Sequence, residues 1–208
     1  MPVETDQKNI HHQQTYLKLN TESNLSVPES DLIRGCITKD RKMQEMLYHR
    51  FASKMYAVCL RYCKDAEDAQ DLLQDGFVKI FKNLEKFRGE GSFEGWIRRI
   101  FVNTSIEHFR KSVKNNSVTD SQEVVIEDPS WNALDNLAEK DIIKMIQELS
   151  PGYRQVFNMY VIEGYSHKDI GDILGISEGT SKSQLARAKG ILKKMVEIKL
   201  NKTNSDLN

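Results

Sequence analysis

The sequence predicts an all-α protein of two small helical domains joined by a flexible linker. Three observations predict it. From Ser30 onward apolar residues recur at the three- and four-residue spacing of amphipathic helices. The only run with strand character, Val124-Val125-Ile126, is short and isolated. A stretch rich in Ser, Asn, Asp and Glu, with Pro129 inside it, interrupts the pattern near the middle. The expected organisation is a mobile polar tail over 1–29, a helical domain over 30–112, an acidic linker over 113–132, a second helical domain over 133–200 and a polar tail over 201–208.

Each element has a local reason. Asp31-Leu32-Ile33 opens a short helix that Gly35 is expected to weaken. Asp40 can cap a second helix, whose apolar positions are Met43, Met46, Leu47, Phe51, Met55, Val58 and Leu60. A third follows Asp65 and buries Leu72, Leu73, Phe77, Ile80, Phe81 and Leu84. The glycines of Phe87-Arg88-Gly89-Glu90-Gly91-Ser92 break the pattern. A fourth helix begins near Ser92, carries Phe93, Trp96, Ile97, Ile100, Phe101 and Ile106, and runs to about Lys111. Helices resume at Ala133–Leu149. Ser150-Pro151 starts another, with proline in the first turn and Val156, Phe157, Tyr160, Val161 and Ile162 on its apolar side, and Gly164 ends it. Two last helices, Ser166–Leu174 and Ser177–Ile198, are separated by Gly175-Ile176.

Composition removes several classes of function. The 208 residues hold 30 Lys plus Arg against 30 Asp plus Glu, so the formal net charge is zero. The charge is unevenly placed: 32–116 and 141–200 are net basic, and 117–140 between them is net acidic. The sequence has no run of about 18 apolar residues, the length a membrane-crossing helix needs. Met1 to Asn20 is too polar for a secretory leader, and the odd count of three cysteines then reads as reduced thiols in a cytoplasm. His11-His12 lacks further ligands at metal spacing. Cys59 and Cys63 lie one helical turn apart near His49, but two ligands make no zinc site, and buried thiols are the expectation. No phosphate-cradling glycine loop, nucleophile–base pattern or metal motif is present. No catalytic activity, cofactor or metal is expected.

Two segments carry chemistry. Ser166–Thr180 has the form of a helix-turn-helix: Ser166 and Ser177 at cap positions, Ile170, Ile173 and Leu174 on the inner face, Gly175 at the sharp exit and Ile176 as a plug between the helices. Small residues at Gly179, Thr180, Ser181 and Ser183 would let the second helix approach base edges, with Lys182, Gln184, Arg187, Lys189, Lys193 and Lys194 supplying donors. A bland helical hairpin with a solvated basic face shares this spacing. In the first domain, Asp68, Asp71 and Asp75 stack on one helical face. The helix dipole accounts for Asp65, Glu67 and Asp68 but poorly for Asp75. Over 87–111 basic and aromatic residues interleave, as single-stranded nucleic acid requires, although Trp96 and Ile100 have the spacing of core residues.

At Leu149-Ser150-Pro151, Tyr153-Arg154-Gln155-Val156-Phe157, Gly164-Tyr165-Ser166, Asp169-Ile170 and Glu178 through Ala188, the chain closely resembles the fourth domain of extracytoplasmic-function sigma factors, the smallest sigma subunits of bacterial RNA polymerase. Phe87-Arg88-Gly89, Phe93, Trp96-Ile97, Arg99-Ile100 and Val102-Asn103-Thr104 resemble that family's second domain. The likeness spans about 30 to 198, with no middle domain and no long N-terminal inhibitory domain.

The resemblance implies a protein that directs core polymerase to promoters and initiates transcription, by reading the −35 element and melting the −10 element. By position it implies that Thr180, Lys182, Ser183, Gln184 and Arg187 face the −35 DNA, with Tyr165, Ser166 and Lys168 on phosphates. Many family members are basic where Gln184 stands, and glutamine suits adenine edges, so base preference is open there. It implies −10 capture by Phe87, Arg88, Gly91, Ser92, Asn103, Arg110 and Lys111, with the Arg88–Ser92 loop pocketing a flipped base. It further implies docking on the β′ clamp coiled coil of core polymerase through Asp68, Asp71, Gln74, Asp75 and Phe77. The family's linker runs through the polymerase cleft; here Asp120, Glu123, Glu127 and Asp128 would mimic nucleic acid. Many members are held by an anti-sigma factor, and a two-domain helical chain could be clamped by one, though no residue singles it out. The competing reading is a dimeric helix-turn-helix regulator that acts on duplex DNA without polymerase.

Overall fold

The computed structural model describes residues 27–115 and 139–205, with no strand among them. In chain order the helices are α1 (Glu29–Ile37), α2 (Arg41–Tyr62), α3 (Ala66–Asn83), a 3-10 turn (Leu84–Lys86), α4 (Phe93–Asn115), α5 (Glu139–Glu148), α6 (Pro151–Phe157) continuing as a π turn (Asn158–Ile162), α7 (His167–Leu174) and α8 (Glu178–Ser205). The Val124–Ile126 run, the acidic linker residues and the helix start expected at Ala133 lie outside the described residues, as does almost all of the N-terminal tail.

The caps are those the sequence supplies. Asp40 accepts from Lys42 N at 2.8 Å and Met43 N at 3.3 Å. Asp65 accepts from Asp68 N at 3.0 Å, and Ser92 Oγ from Gly95 N at 3.1 Å. The central helix of the first unit is α2, 22 residues long, against which α1, α3 and α4 pack. Its core joins Leu47, Phe51, Met55, Val58 and Cys59 to Leu72, Phe77, Ile80, Phe93, Ile97 and Phe101, all buried. In the second unit α8 is the long element. Leu185, Ala188, Leu192 and Val196 on it close over Ile146, Leu149, Val156, Met159 and Ile170.

Three local expectations are corrected. Gly35 lies inside α1 and marks a close approach: a Cβ there would fall 2.4 Å from Met43 Cγ on α2. The fourth helix runs a turn further, to Asn115. Tyr160 and Val161, expected on the apolar side of their helix, are exposed, while Asn158 and Met159 are fully buried. The π turn causes this, because an extra residue in the turn rotates the later side chains away from the positions a 3.6-residue count assigns them.

The cysteines are free thiols, Cys36 and Cys59 buried and Cys63 half-buried. Burial pushes the Cys36 thiol up to about 11 and the Cys63 thiol up to about 12, the latter with help from Asp68, and raises Cys59 further. A thiolate, not a thiol, attacks electrophiles. At pH 7.5 the native chain is therefore expected to react with iodoacetamide at least ten times more slowly than the urea-unfolded chain. Rapid labelling of Cys59 with the fold intact would contradict this burial.

Candidate nucleic-acid interface

The helix-turn-helix is built by short-range bonds. Ser166 Oγ accepts from Asp169 N at 3.1 Å, and the Asp169 carboxylate accepts from Ser166 N at 3.2 Å, a reciprocal capping box. A 2.6 Å hydrogen bond from the Ser166 hydroxyl, and after it the Ser166 N–H, holds the Asp169 carboxyl below the usual carboxylate range. Gly175 is left-handed at φ 71°, where any Cβ is unfavourable, and turns the chain out of α7. Gly171 brings the helices together: a Cβ there would lie 2.8 Å from the Ile176 carbonyl oxygen. Ser177 Oγ accepts from Thr180 N at 2.9 Å and starts α8.

The structure sorts the residues expected on this surface. Ser166, Lys168, Lys182 and Ser183 are exposed, and Tyr165 and Thr180 are partly so. Lys182 pairs with Glu178 at 2.6 Å. Thr180 spends its hydroxyl on Ser177 at 2.8 Å. Gln184 is half-buried against the first turn of α6, its Nε2 3.4 Å from where a Gly152 Cβ would sit. Arg187 leans on the same turn, donating to the Tyr153 hydroxyl at 3.4 Å. Ser181 is corrected: it is fully buried and shares a 2.9 Å hydrogen bond with His167 Nδ1. The His167 ring stacks on Tyr160 at 4.3 Å. Burial, then Lys182, lowers its pKa below the ordinary histidine value.

In the first unit, Arg88, Gly91 and Ser92 lie on an exposed loop whose turns rest on Gly89 at φ 73° and Gly91 at φ 91°. No side chain stands within 4 Å of either glycine's missing Cβ, so backbone shape and not crowding calls for them. Phe87 is corrected in part. Its ring is half-buried, 5.0 Å from Phe93 and 5.5 Å from Trp96, and anchors the loop instead of projecting from it. Trp96 itself stacks on Phe93 at 5.8 Å. Asn103, Arg110 and Lys111 are exposed on α4, and Asn103 and Arg110 share a face by their seven-residue spacing.

On α3, Asp68, Asp71, Gln74 and Asp75 form an exposed strip. Phe77 does not belong to it: it is 3% exposed, against Tyr48 at 4.6 Å and Phe101 at 5.5 Å. Asp75, which the helix dipole could not explain, meets His108 Nε2 of α4 at 2.9 Å, and one turn on Lys79 meets Glu107 at 2.7 Å. Asp68 and Asp71 also border a cleft of about 500 Å³ between the units, with Cys63, His108 and Arg154 in its walls. No group of three or more His, Cys, Asp or Glu among the described residues could hold a metal ion, and no described helix is long and apolar enough to cross a membrane.

The sequence matches two family models in order along the chain: Sigma-70 region 2 over residues 47–114 and Sigma-70 region 4 over residues 139–192. Among curated relatives, the RNA polymerase sigma-H factor of Pseudomonas aeruginosa is 26% identical over 181 residues, covering 81% of this chain and 94% of that one. The chain belongs to the extracytoplasmic-function sigma factors. A second such relative, the sigma-E factor of Haemophilus influenzae, is 25% identical over 170 residues, covering 76% of this sigma factor and 89% of its own length. Among solved structures, the sigma factor RpoE of Bartonella quintana, in complex with the anti-sigma factor NepR, aligns over 74% of this chain and 96% of its own with a TM-score of 0.43 and 22% identity. In this sigma factor, region 2 takes in α2 from Leu47 onward and runs through α4, carrying both the acidic strip and the glycine loop. Region 4 runs from α5 into α8 and carries the helix-turn-helix.

Three residues with consequences for the site, Arg98, Asn158 and Glu163, are not marked by the sequence, and Arg154 is marked there only as part of the family resemblance. Arg154 is 5% exposed and donates from Nε to Ile146 O at 3.2 Å and from Nη2 to Gln147 O at 2.5 Å and Leu149 O at 2.8 Å. It thereby ties off the C-terminal end of α5. No periodicity marks an arginine for such a place.

Proposed function

We propose that this chain is a promoter-specificity subunit of bacterial RNA polymerase, working in the cytoplasm and not as an enzyme in its own right. The observation that carries the reading is the order of two modules: an acidic strip and exposed glycine loop on region 2, followed by a helix-turn-helix on region 4. Core polymerase docks on Asp68, Asp71, Gln74 and Asp75, the exposed members of the α3 strip. Lys182 and Ser183 enter the major groove of the −35 element from the start of α8, with Gln184 and Arg187 at the edge that borders α6. Tyr165, Ser166 and Lys168 hold the adjoining phosphates.

The −10 element is taken as a single strand. Opening a duplex needs a place for unpaired bases, and the exposed turn from Arg88 to Ser92 offers open backbone beside the Phe87–Phe93–Trp96 aromatic cluster. Asn103, Arg110 and Lys111 follow the strand along α4. An anti-sigma factor is a further partner, of the kind with which the Bartonella relative was solved.

The test is run-off transcription with purified core polymerase on a genomic promoter library, with and without the chain. Expected are discrete starts that depend on it. The triple variant Asp68→Asn, Asp71→Asn, Asp75→Asn should lose co-elution with core polymerase by at least tenfold in affinity while keeping its helical circular dichroism. Tight binding of duplex DNA by the chain alone, with no transcript from any template, would overturn the reading in favour of an independent DNA-binding regulator.

A further inference from the structure

The two units meet where α5 and α6 pack against α2 and α4, and a polar patch forms part of that contact. Arg98 of α4 grips Glu163, just after the π turn, with two hydrogen bonds: Nε to Oε2 at 3.1 Å and Nη2 to Oε1 at 2.8 Å. The Glu163 side chain is only 10% exposed. This bond is the first cause of a raised Arg98 pKa. Beside it, Asn158 Nδ2 donates to the Arg61 carbonyl at 2.6 Å, across from the end of α2. Arg61 lies close enough that, after burial, the Arg98 charge lowers its pKa and Glu163 works the other way. One carboxylate thus sits among two guanidinium groups.

The same patch is poorly satisfied. Arg61 Nε and Nη2, the Tyr62 hydroxyl, Gln155 Oε1 and Asn158 Oδ1 are buried there without a hydrogen bond among the described residues. Buried polar atoms left unpaired are costly, and water would satisfy all of them if the units parted. Within this patch the unpaired atoms favour opening, and the charged contact at Glu163 opposes it.

We propose that Glu163 is a latch: its carboxylate fills the notch between Arg98 and Arg61 and keeps the free chain closed, and this contact must break before both units engage a promoter. The second clause rests on the function proposed above; the latch itself does not. The −35 and −10 labels put those elements about 25 base pairs apart, which is about 85 Å of duplex at 3.4 Å per step. Two modules touching through a 2.8 Å ion pair cannot sit on both. Closure also makes Asp68 and Asp71 one wall of the cleft whose other side is Pro151 and Arg154, so a partner docking on that strip meets the second unit.

The test is small-angle scattering of the full free chain at low salt, for the unchanged protein, Glu163→Gln and Glu163→Arg, with circular dichroism to establish that the helices persist. Losing a two-pronged charged contact should shift the open-to-closed ratio about tenfold. The radius of gyration should rise in Glu163→Gln, rise further in Glu163→Arg, where three cations crowd the notch, and rise in the unchanged chain with added salt. Equal radii in all three proteins with helices intact would overturn the latch. A chain that opens on substitution yet never binds core polymerase would uphold the latch and sink the promoter reading, so the two failures are distinct.

Discussion

Replacing Arg154 by methionine is expected to lower stability by about 3 kcal/mol, the scale seen when one partner of a buried charged network is removed. The side chain is 5% exposed and its guanidinium serves the carbonyls of Ile146, Gln147 and Leu149 where α5 ends. Methionine fills a similar volume, so the loss falls on the orphaned carbonyls and not on a cavity. Each buried acceptor left without a donor costs about 1–3 kcal/mol. Against this, desolvation of the arginine is already a burden on the native state, and it is the leading cause of its lowered pKa. The acceptors win because the Gln147 and Leu149 carbonyls are served by this one side chain, although Ile146 O also accepts from Leu149 N at 3.2 Å. For a unit this small the deficit should appear as a fall of roughly 10–20 °C in the midpoint of thermal unfolding followed at 222 nm. Arg154→Lys should recover only part, since a single ammonium cannot reproduce the planar fork. An unchanged midpoint in Arg154→Met would show that α5 ends without help from this residue.

The second large effect concerns Gly76. A glycine-to-alanine change in a helix interior normally stabilises by about 1 kcal/mol. Here the sign should reverse. A Cβ on Gly76 would lie 2.1 Å from Phe101 Cε1 and within 2.6 Å of two more ring atoms. Phe101 is fully buried and meets Phe77 edge-on at 5.5 Å, so the ring has little room to yield. Overpacking of this kind costs about 1–3 kcal/mol, and the severity of the overlap puts Gly76→Ala at a net loss of about 2 kcal/mol. The double variant Gly76→Ala, Phe101→Leu should recover part of it, a coupling that independent sites would not give. A higher unfolding midpoint for Gly76→Ala alone would refute this packing.

Both predictions fall on residues whose importance the linear pattern hides. Gly76 draws no notice in the helical pattern, and Arg154 enters it only through the family resemblance. Phe77 illustrates the opposite error. It sits within the acidic run that the family resemblance marks, yet its spacing with Leu73 and Ile80 puts it on the apolar face, and it is core. Tyr160 and Val161 defeat a helical count because that count assumes 3.6 residues per turn, and the π turn at Asn158–Ile162 breaks it. Ser181 reads as a small residue clearing the way to DNA, when its size instead lets α8 close on His167.

What the sequence determined by itself is everything that depends on neighbours a few residues away. The caps at Asp40, Asp65, Ser92, Ser166 and Ser177, the left-handed exit at Gly175 and the all-helical class come from short-range hydrogen bonding and apolar period. Tertiary structure alone decided which polar groups go inside and whom they meet. Arg154 finds carbonyls five to eight residues back, Asp75 finds His108, and Arg98 finds Glu163 from 65 residues away. A buried charge is tolerable only where a partner of suitable geometry already stands, and that partner is supplied by the packing of whole helices, which no local pattern encodes.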